Sequence, residues 1–209
     1  MQKDLRAKNS NLKPQFYMYI FGASGQARAI IDILDPDVKI SGVFDDDPKI
    51  KDILGFKVNG PVPEDFEFDA PLFIAIGDNK SRKLLQEKFQ KRTSFGIILH
   101  KSAIVSRRTT IGEGTVIMEG AIVKVNTFIG KQVIVNTSSS VDHDCVVGDY
   151  VHIAPQATLC GGAEIGEGTL VGANSTVLPG VKVGKWCTIV AGAVVSKNLQ
   201  DGAIKRRQD

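Results

Sequence analysis

Asp142-His143-Asp144 is the run whose residue types could move a proton. An imidazole exchanges protons near neutral pH, and a neighbouring carboxylate fixes its tautomer and orientation, as a general base requires. The run sits in the hexad Val141-Asp142-His143-Asp144-Cys145-Val146, in a region otherwise of small and aliphatic residues. The competing reading is polar decoration of a solvated corner. His152 ends its own hexad and reads either as a ligand contact on the same side or as surface. His100 reads as structural. Three more polar clusters each follow an apolar run: Gly22-Ala23-Ser24-Gly25, Asp45-Asp46-Asp47 and Gly77-Asp78-Asn79. A glycine loop lets backbone amides approach an anion at a helix N-terminus, or it is simply a tight strand-to-helix turn. It is shorter than the dinucleotide fingerprint, which argues against NAD. Asp45 and Asp46 stand where a carboxylate meets a ribose hydroxyl or a base edge, or where a solvated turn is expected. Cys145, Cys160 and Cys187 have no metal-ligand spacing and read as packed free thiols of a reducing compartment. His143 and Asp144 lack a third ligand, so no metal is expected.

The elements that must position these groups are legible from periodicity. Every sixth residue over 99–195 is aliphatic, and the residues four further on, from Ala103 to Ala193, are always Ala, Thr, Ser, Cys or Val. A period of six fits neither a helix nor a half-buried strand, but it fits a hexapeptide β-helix. The aliphatic residue fills the interior, the small one sits near a corner, and coils stack roughly 4.8 Å apart. If three hexads make one coil, Gly161 and Gly162 lie one coil beyond His143 and Asp144. This predicts an open groove against the histidine. Before the hexads, Phe16-Tyr17-Met18-Tyr19-Ile20-Phe21, residues 38–44 and residues 71–76 read as buried parallel strands. One helix carries Ala27, Ile30, Ile31 and Leu34 inward. A second carries Leu84, Leu85 and Phe89 inward, capped by Asn79 or Ser81. This βαβ pattern predicts a small parallel sheet whose carboxyl ends gather the three polar clusters on one rim, the place where such sheets bind ligands.

Residues 1–14 read as a flexible leader, 15–98 as the α/β nucleotide-binding domain, 99–200 as the solenoid and 201–209 as a basic tail. A net charge of +3 with scattered basic residues argues against a nucleic-acid partner. No apolar run reaches the length of a membrane span and no secretory signal is evident, which points to the cytoplasm.

Several motifs together resemble the NeuD-like sialic-acid O-acetyltransferase family of sugar acyltransferases. They are Gly22-Ala23-Ser24-Gly25, Phe44-Asp45-Asp46, Ile74-Ala75-Ile76-Gly77-Asp78-Asn79, His100-Lys101-Ser102-Ala103, Asn136-Thr137 and His143-Asp144-Cys145-Val146-Val147-Gly148. Within that family the chain is most similar to bacterial N-acetyltransferases of nucleotide-linked 4-amino-sugars, of the bacillosamine and perosamine type. The resemblance implies a Rossmann-like amino-terminal domain followed by a left-handed parallel β-helix. It also implies a homotrimer with active sites between subunits, and acetyl-CoA as co-substrate along the groove. It implies His143 as general base with Asp144 as its carboxylate partner, and Asn136 placing the sugar. His152, Gly161, Ala173 and Ala191 would line the CoA site, and Ser24, Asp45, Asp46 and Gly77 would hold the acceptor's nucleotide. The chain departs from the family pattern twice. Gln26-Ala27-Arg28 stands where many relatives carry His-Gly-Lys. The carboxyl end lacks a Gly-x-Pro-Ala-Lys-like segment and carries Lys205-Arg206-Arg207, either a phosphate contact or a solvated tail.

The expected function is therefore acetyl transfer to the 4-amino group of a nucleotide-linked amino sugar by direct attack in a ternary complex. O-acetylation of sialic acid or another sugar hydroxyl is the alternative within the enzyme class. A non-catalytic sugar-binding β-helix is the alternative outside it. An intact Asp142-His143-Asp144 run argues against the last.

Overall fold

The computed structural model describes residues 17–208; the expected leader, 1–14, lies outside them. The chain divides into two compact units, Met1–Ile97 and Ile98–Asp209.

In the first unit, β1 (Tyr17–Phe21) is the centre of a three-stranded parallel sheet, with β2 (Lys39–Phe44) on one side and β5 (Leu72–Ile74) on the other. Helix α1 (Gly25–Ile33) is the crossover after β1, and α2 (Asn79–Phe89) follows β5. Because β1 has neighbours on both sides, its carboxyl end is the topological switch point of the sheet. The core is aromatic. Tyr19, Phe21, Phe44 and Phe89 are buried, Phe66 and Phe68 pack against them, and several pairs meet edge to face.

Three readings of this unit change. Helix α1 buries Ile33 with Ala27 and Ile30, while Ile31 is only half-buried. Helix α2 turns Leu84 to solvent, 66% exposed, and buries Arg82 and Gln86 with Phe89. Its N-cap is Asp78, which accepts from the Ser81 amide at 2.8 Å. Hydrogen bonds from Ser81, its side chain first and then this amide, hold the Asp78 carboxyl below the usual range. The hairpin of β3 (Asp52–Ile53) and β4 (Phe56–Lys57) had no sequence signal, since its turn places Leu54 as well as Gly55 at positive φ.

The second unit is the solenoid. Its two-residue strands pair in parallel with the strands eighteen residues before and after, as in Ile122↔Ser140, Phe128↔Val146 and Ile134↔His152. Three flat faces result. The first contains Ser140–Val141, the second Val146–Val147 and the third His152–Ile153. The sixth-residue aliphatics point inward, and Val141, Ile153, Leu159, Val171, Val177 and Ile189 are wholly buried. Three residues after each of these aliphatics from Ile111 to Ile189 comes a left-handed corner, held by glycine at 114, 120, 162, 168, 180 and 192 and by Asn126, Ser138, Asp144 and Asn174 among others.

The small-residue slot has a polar reason as well as a steric one. Thr115, Thr127 and Thr169 donate from their hydroxyls to the carbonyls of Gly130, Asp142 and Gly184, fifteen residues on. The Cys145 thiol likewise meets the Cys160 carbonyl fifteen residues on, and the Cys187 thiol the Gln200 carbonyl thirteen on. Burial raises the Cys145 thiol above its ordinary pKa. Iodoacetamide at neutral pH is therefore expected to label half-buried Cys160 before Cys145, which should react only on unfolding. Peptide mapping showing equal labelling would contradict this packing.

Residues 201–208 are not a loose tail. Leu199 bridges Val183, and the strand Ile204–Lys205 pairs with Thr188–Ile189, both sixteen residues apart instead of eighteen. Two residues are missing from the last coil, so the strict period of six ends at Val195 although the coiling continues.

Candidate active site

His143 stands on the edge between the first and second faces. Its Nδ1 lies 2.7 Å from Asp144 Oδ2. Asp144 holds the left-handed corner, with φ 59°, and its other oxygen accepts from Asn126 Nδ2 at 3.2 Å, one coil away. The hydrogen bonds from His143 and then Asn126 hold the Asp144 carboxyl below the usual range, so it is an acceptor only. In the neutral ring Nδ1 of His143 therefore carries the proton, and Nε2 keeps its lone pair. Asp142 serves the backbone: its Oδ1 accepts from the His143 amide at 2.8 Å and pairs with Lys124 Nζ at 3.1 Å. These bonds, the amide first, also lower its pKa. Asn126 and Lys124 supply contacts that the sequence reading missed. Both are found by stepping back eighteen residues from Asp144 and Asp142.

The groove expected against the histidine is filled by the histidine itself. A Cβ at Gly161 would lie 2.7 Å from His143 Cε1 and 2.8 Å from Nε2, so the ring rests on the glycine backbone. Open space lies farther on. A Cβ at Gly162 would meet only Gly180 atoms at 3.9 Å, and one at Gly180 would meet nothing within 4 Å. The Gly161 amide, beside the imidazole, donates to no protein atom among the described residues.

The other solenoid residues gather elsewhere. Asn136 and Thr137 occupy the edge between the third and first faces, and His152 projects from the third face beside them. Asn136 Nδ2 is 3.1 Å from His152 Nε2. Ala173 and Ala191 lie farther along the same edge. Their carbonyls accept from the Gly192 amide and from Arg207 Nε, while among the described residues their own amides donate to no protein atom. Arg207 lies over Gly192, where a Cβ would come within 2.9 Å of the guanidinium. His152, Ala173 and Ala191 thus share one edge, and Gly161 stands with His143 on another. His152 does not share the side of the wall that carries His143. His100 Nδ1 is occupied by the Ser102 hydroxyl and amide, as its structural reading requires.

In the first unit, the three polar clusters meet. Gly22, with φ 112°, donates to the Phe44 carbonyl, and a Cβ there would come within 2.8 Å of the Ala75 carbonyl oxygen. Asp45 accepts from the Ala23 amide at 2.7 Å and from the Asp47 amide at 2.8 Å, so both its oxygens brace the rim. Asp46 and Ser24 are exposed, and the Ser24 side chain makes no capping bond. Gly77 faces Gln26 Oε1 at 3.8 Å from a Cβ position. Beneath this loop, buried Arg82 donates to the carbonyls of Ile76 and Gly77 and to Asn79 Oδ1. An arginine inside a short helix gave no sequence signal for that bracing role. Among the described residues no group of three or more His, Cys, Asp or Glu side chains could hold a metal ion, and no helix is long and apolar enough to cross a membrane.

A parallel β-helix bearing a carboxylate-oriented histidine, preceded by a small Rossmann-like sheet, defines a hexapeptide-repeat acetyltransferase. Comparison with known proteins gives the narrower assignment. Residues 18–89 match the PglD N-terminal domain, and residues 162–197 match the bacterial transferase hexapeptide of six repeats. PerB from Caulobacter crescentus, solved with CoA and GDP-perosamine, is 33% identical with a TM-score of 0.83, over 90% of this chain and 92% of that one. The acetyltransferase domain of PglB from Neisseria gonorrhoeae, solved with acetyl coenzyme A, is 29% identical with a TM-score of 0.81, over 91% and 95%. The UDP-N-acetylbacillosamine N-acetyltransferase of Bacillus subtilis is 36% identical over 108 residues, 47% of this chain and 49% of that protein. An uncharacterized mimivirus protein, L142, is matched over only 21% of its length at 32% identity. The chain thus spans about half or less of the curated relatives it matches. It belongs to the family of PglD-type sugar N-acetyltransferases, with a Rossmann-like amino-terminal domain and a left-handed parallel β-helix.

Proposed function

We propose that the protein transfers the acetyl group of acetyl-CoA to the 4-amino group of a nucleotide-linked amino-deoxy sugar, with His143 as general base. The observation that carries this reading is the His143 ring. Its Nδ1 proton is committed to Asp144 and its Nε2 lone pair remains, with the ring packed against Gly161, whose amide has no partner among the described residues. The sugar amine attacks the thioester carbonyl carbon through its nitrogen lone pair. Nε2 takes the proton that nitrogen must shed, and the leaving thiolate takes it back from the imidazolium. The products are the amide and CoA-SH. The Gly161 amide is a donor for the oxygen that gains charge during attack, the kind of contribution that counts most in a site closed to water.

Acetyl-CoA suits the wall chemically. Free amides at Gly161, Ala173 and Ala191 are donors for a thioester and an amide-bearing arm, and the glycines at 162 and 180 leave room beside them. Ser24, Asp46 and Gly77 are the rim groups assigned to the acceptor's nucleotide, with Asp45 holding the rim in shape. The active site is assigned to the contact between subunits of a homotrimer. His143 stands on one edge of the wall and the Asn136–His152 pair on another, which fits a site completed by a neighbouring subunit. The His143 side chain is also 54% exposed, so one wall alone does not exclude water. The exposed, stacked Phe128 and Val146 beside the His143 edge offer an apolar contact for the neighbour.

The test is acetyl-CoA-dependent thiol release across UDP-, GDP- and dTDP-linked 4-amino-sugars and free sialic acids. Turnover is expected with a nucleotide-linked amine. Higher rates with free sialic acid would replace this reading with O-acetylation, and no turnover with any acceptor would leave a binding protein.

A further inference from the structure

We infer that Asn136 is a positioning residue that holds His152 as a neutral imidazole protonated on Nδ1, a hydrogen-bond donor and not a second base. The Thr137 backbone amide can only donate, and it lies 2.8 Å from Asn136 Oδ1. That contact identifies Oδ1 as the oxygen and fixes the amide plane, so the group 3.1 Å from His152 Nε2 is the NH2. An NH2 donates, so Nε2 must accept, and the single proton of the neutral ring sits on Nδ1. The Thr137 hydroxyl reinforces the arrangement. It lies 3.3 Å from both Asn136 Oδ1 and Glu119 Oε2, linking the pair to the coil below.

The inference also changes the role of Asn136. Both ends of its amide are engaged within the wall, so it acts through His152 instead of placing the sugar. It separates the two outward imidazoles by chemistry. In His143 a carboxylate takes the Nδ1 proton and the Nε2 lone pair remains for a base. In His152 the Nε2 lone pair is occupied, and the ring serves the edge that carries Ala173 and Ala191.

The test has two arms, and only the kinetic one rests on the acetyl-CoA reading. With three histidines in the chain, the His152 ring nitrogens can be assigned by comparison with His152→Gln in two-bond 1H–15N spectra of the intact protein. The wild type is expected to show Nε2 unprotonated and Nδ1 protonated. Asn136→Asp replaces the donor with an acceptor of the same shape, so Nε2 is expected to become protonated. In the kinetic arm, Asn136→Asp is expected to raise the KM for acetyl-CoA about 10-fold, the scale of one misplaced hydrogen bond, with the acceptor KM within about twofold of wild type. A protonated Nε2 in the wild type, or a ring unchanged in Asn136→Asp, overturns the inference. A rise in acceptor KM alone returns Asn136 to the sugar. If no acceptor is acetylated by the wild type, the catalytic reading fails while the spectra still decide the tautomer.

Discussion

Replacing His143 with alanine is expected to lower kcat by about 10²–10⁴-fold, the range a positioned general base contributes. In the proposed reaction the acceptor amine is an ammonium for much of the neutral range, and after attack its nitrogen must lose a proton before the thiolate can leave. No other histidine can substitute. His100 Nδ1 is tied to Ser102, and His152 Nε2 is tied to Asn136 on another edge. The side chain lies on the outside of the solenoid, so unfolding temperature should be unchanged while turnover collapses. The measurement is kcat under saturating acetyl-CoA and acceptor, with a thermal scan alongside. A kcat within tenfold of wild type would remove the general-base assignment.

Gly161→Ala should be nearly as damaging, although the residue carries no functional side chain. The added methyl carbon would sit 2.7 Å from His143 Cε1 and 2.8 Å from Nε2, closer than real contacts allow. The backbone there is locked to neighbouring coils, with the Gly161 carbonyl accepting from the Gly180 amide at 3.0 Å. The imidazole must therefore yield. It is bound through Nδ1 to an exposed carboxylate, so it can swing outward at little cost to the fold. Displacing a reacting group by about 1 Å costs on the order of 10²-fold, and kcat should fall by roughly that amount with little change in the acceptor KM. Gly162→Ala is the matched comparison: it meets no ring, although its φ of 70° strains a side chain, and its main effect should be on stability. Equal kcat in Gly161→Ala and wild type would mean that the ring position seen here is not the reactive one.

The separation between these two residues follows how much of the molecule was readable as letters. The period of six specified the solenoid, because an inward aliphatic and a corner residue recur wherever the backbone repeats its path. The same arithmetic located Gly161 over His143. It also indicated an empty groove there, whereas the ring fills that space, because a spacing of eighteen gives the neighbour but not the rotamer. The end of the solenoid was hidden for a related reason. Backbone hydrogen bonds between coils tolerate a spacing of sixteen, as in Ile189↔Lys205, but a strict count does not. In the amino-terminal unit, the strand–loop–helix pattern placed the three polar clusters on one rim. The inward face of α2 was misassigned, since Arg82 is buried by hydrogen bonds to carbonyls, not by hydrophobicity.

By itself, then, the sequence determined the two architectures, the Asp142-His143-Asp144 run and the rim clusters. Each is a local or strictly periodic property, and backbone geometry translates such properties directly into position. Only the tertiary structure decided the roles within those groups. It showed that Asp144 is the partner of the imidazole while Asp142 serves the backbone, and that Asp45 braces the loop while Asp46 is exposed. It placed His152 with Asn136 on an edge away from His143. These distinctions depend on which donor meets which acceptor across coils and loops. A hydrogen bond selects its partner by about an ångström and a direction, and residue type and spacing do not carry that information.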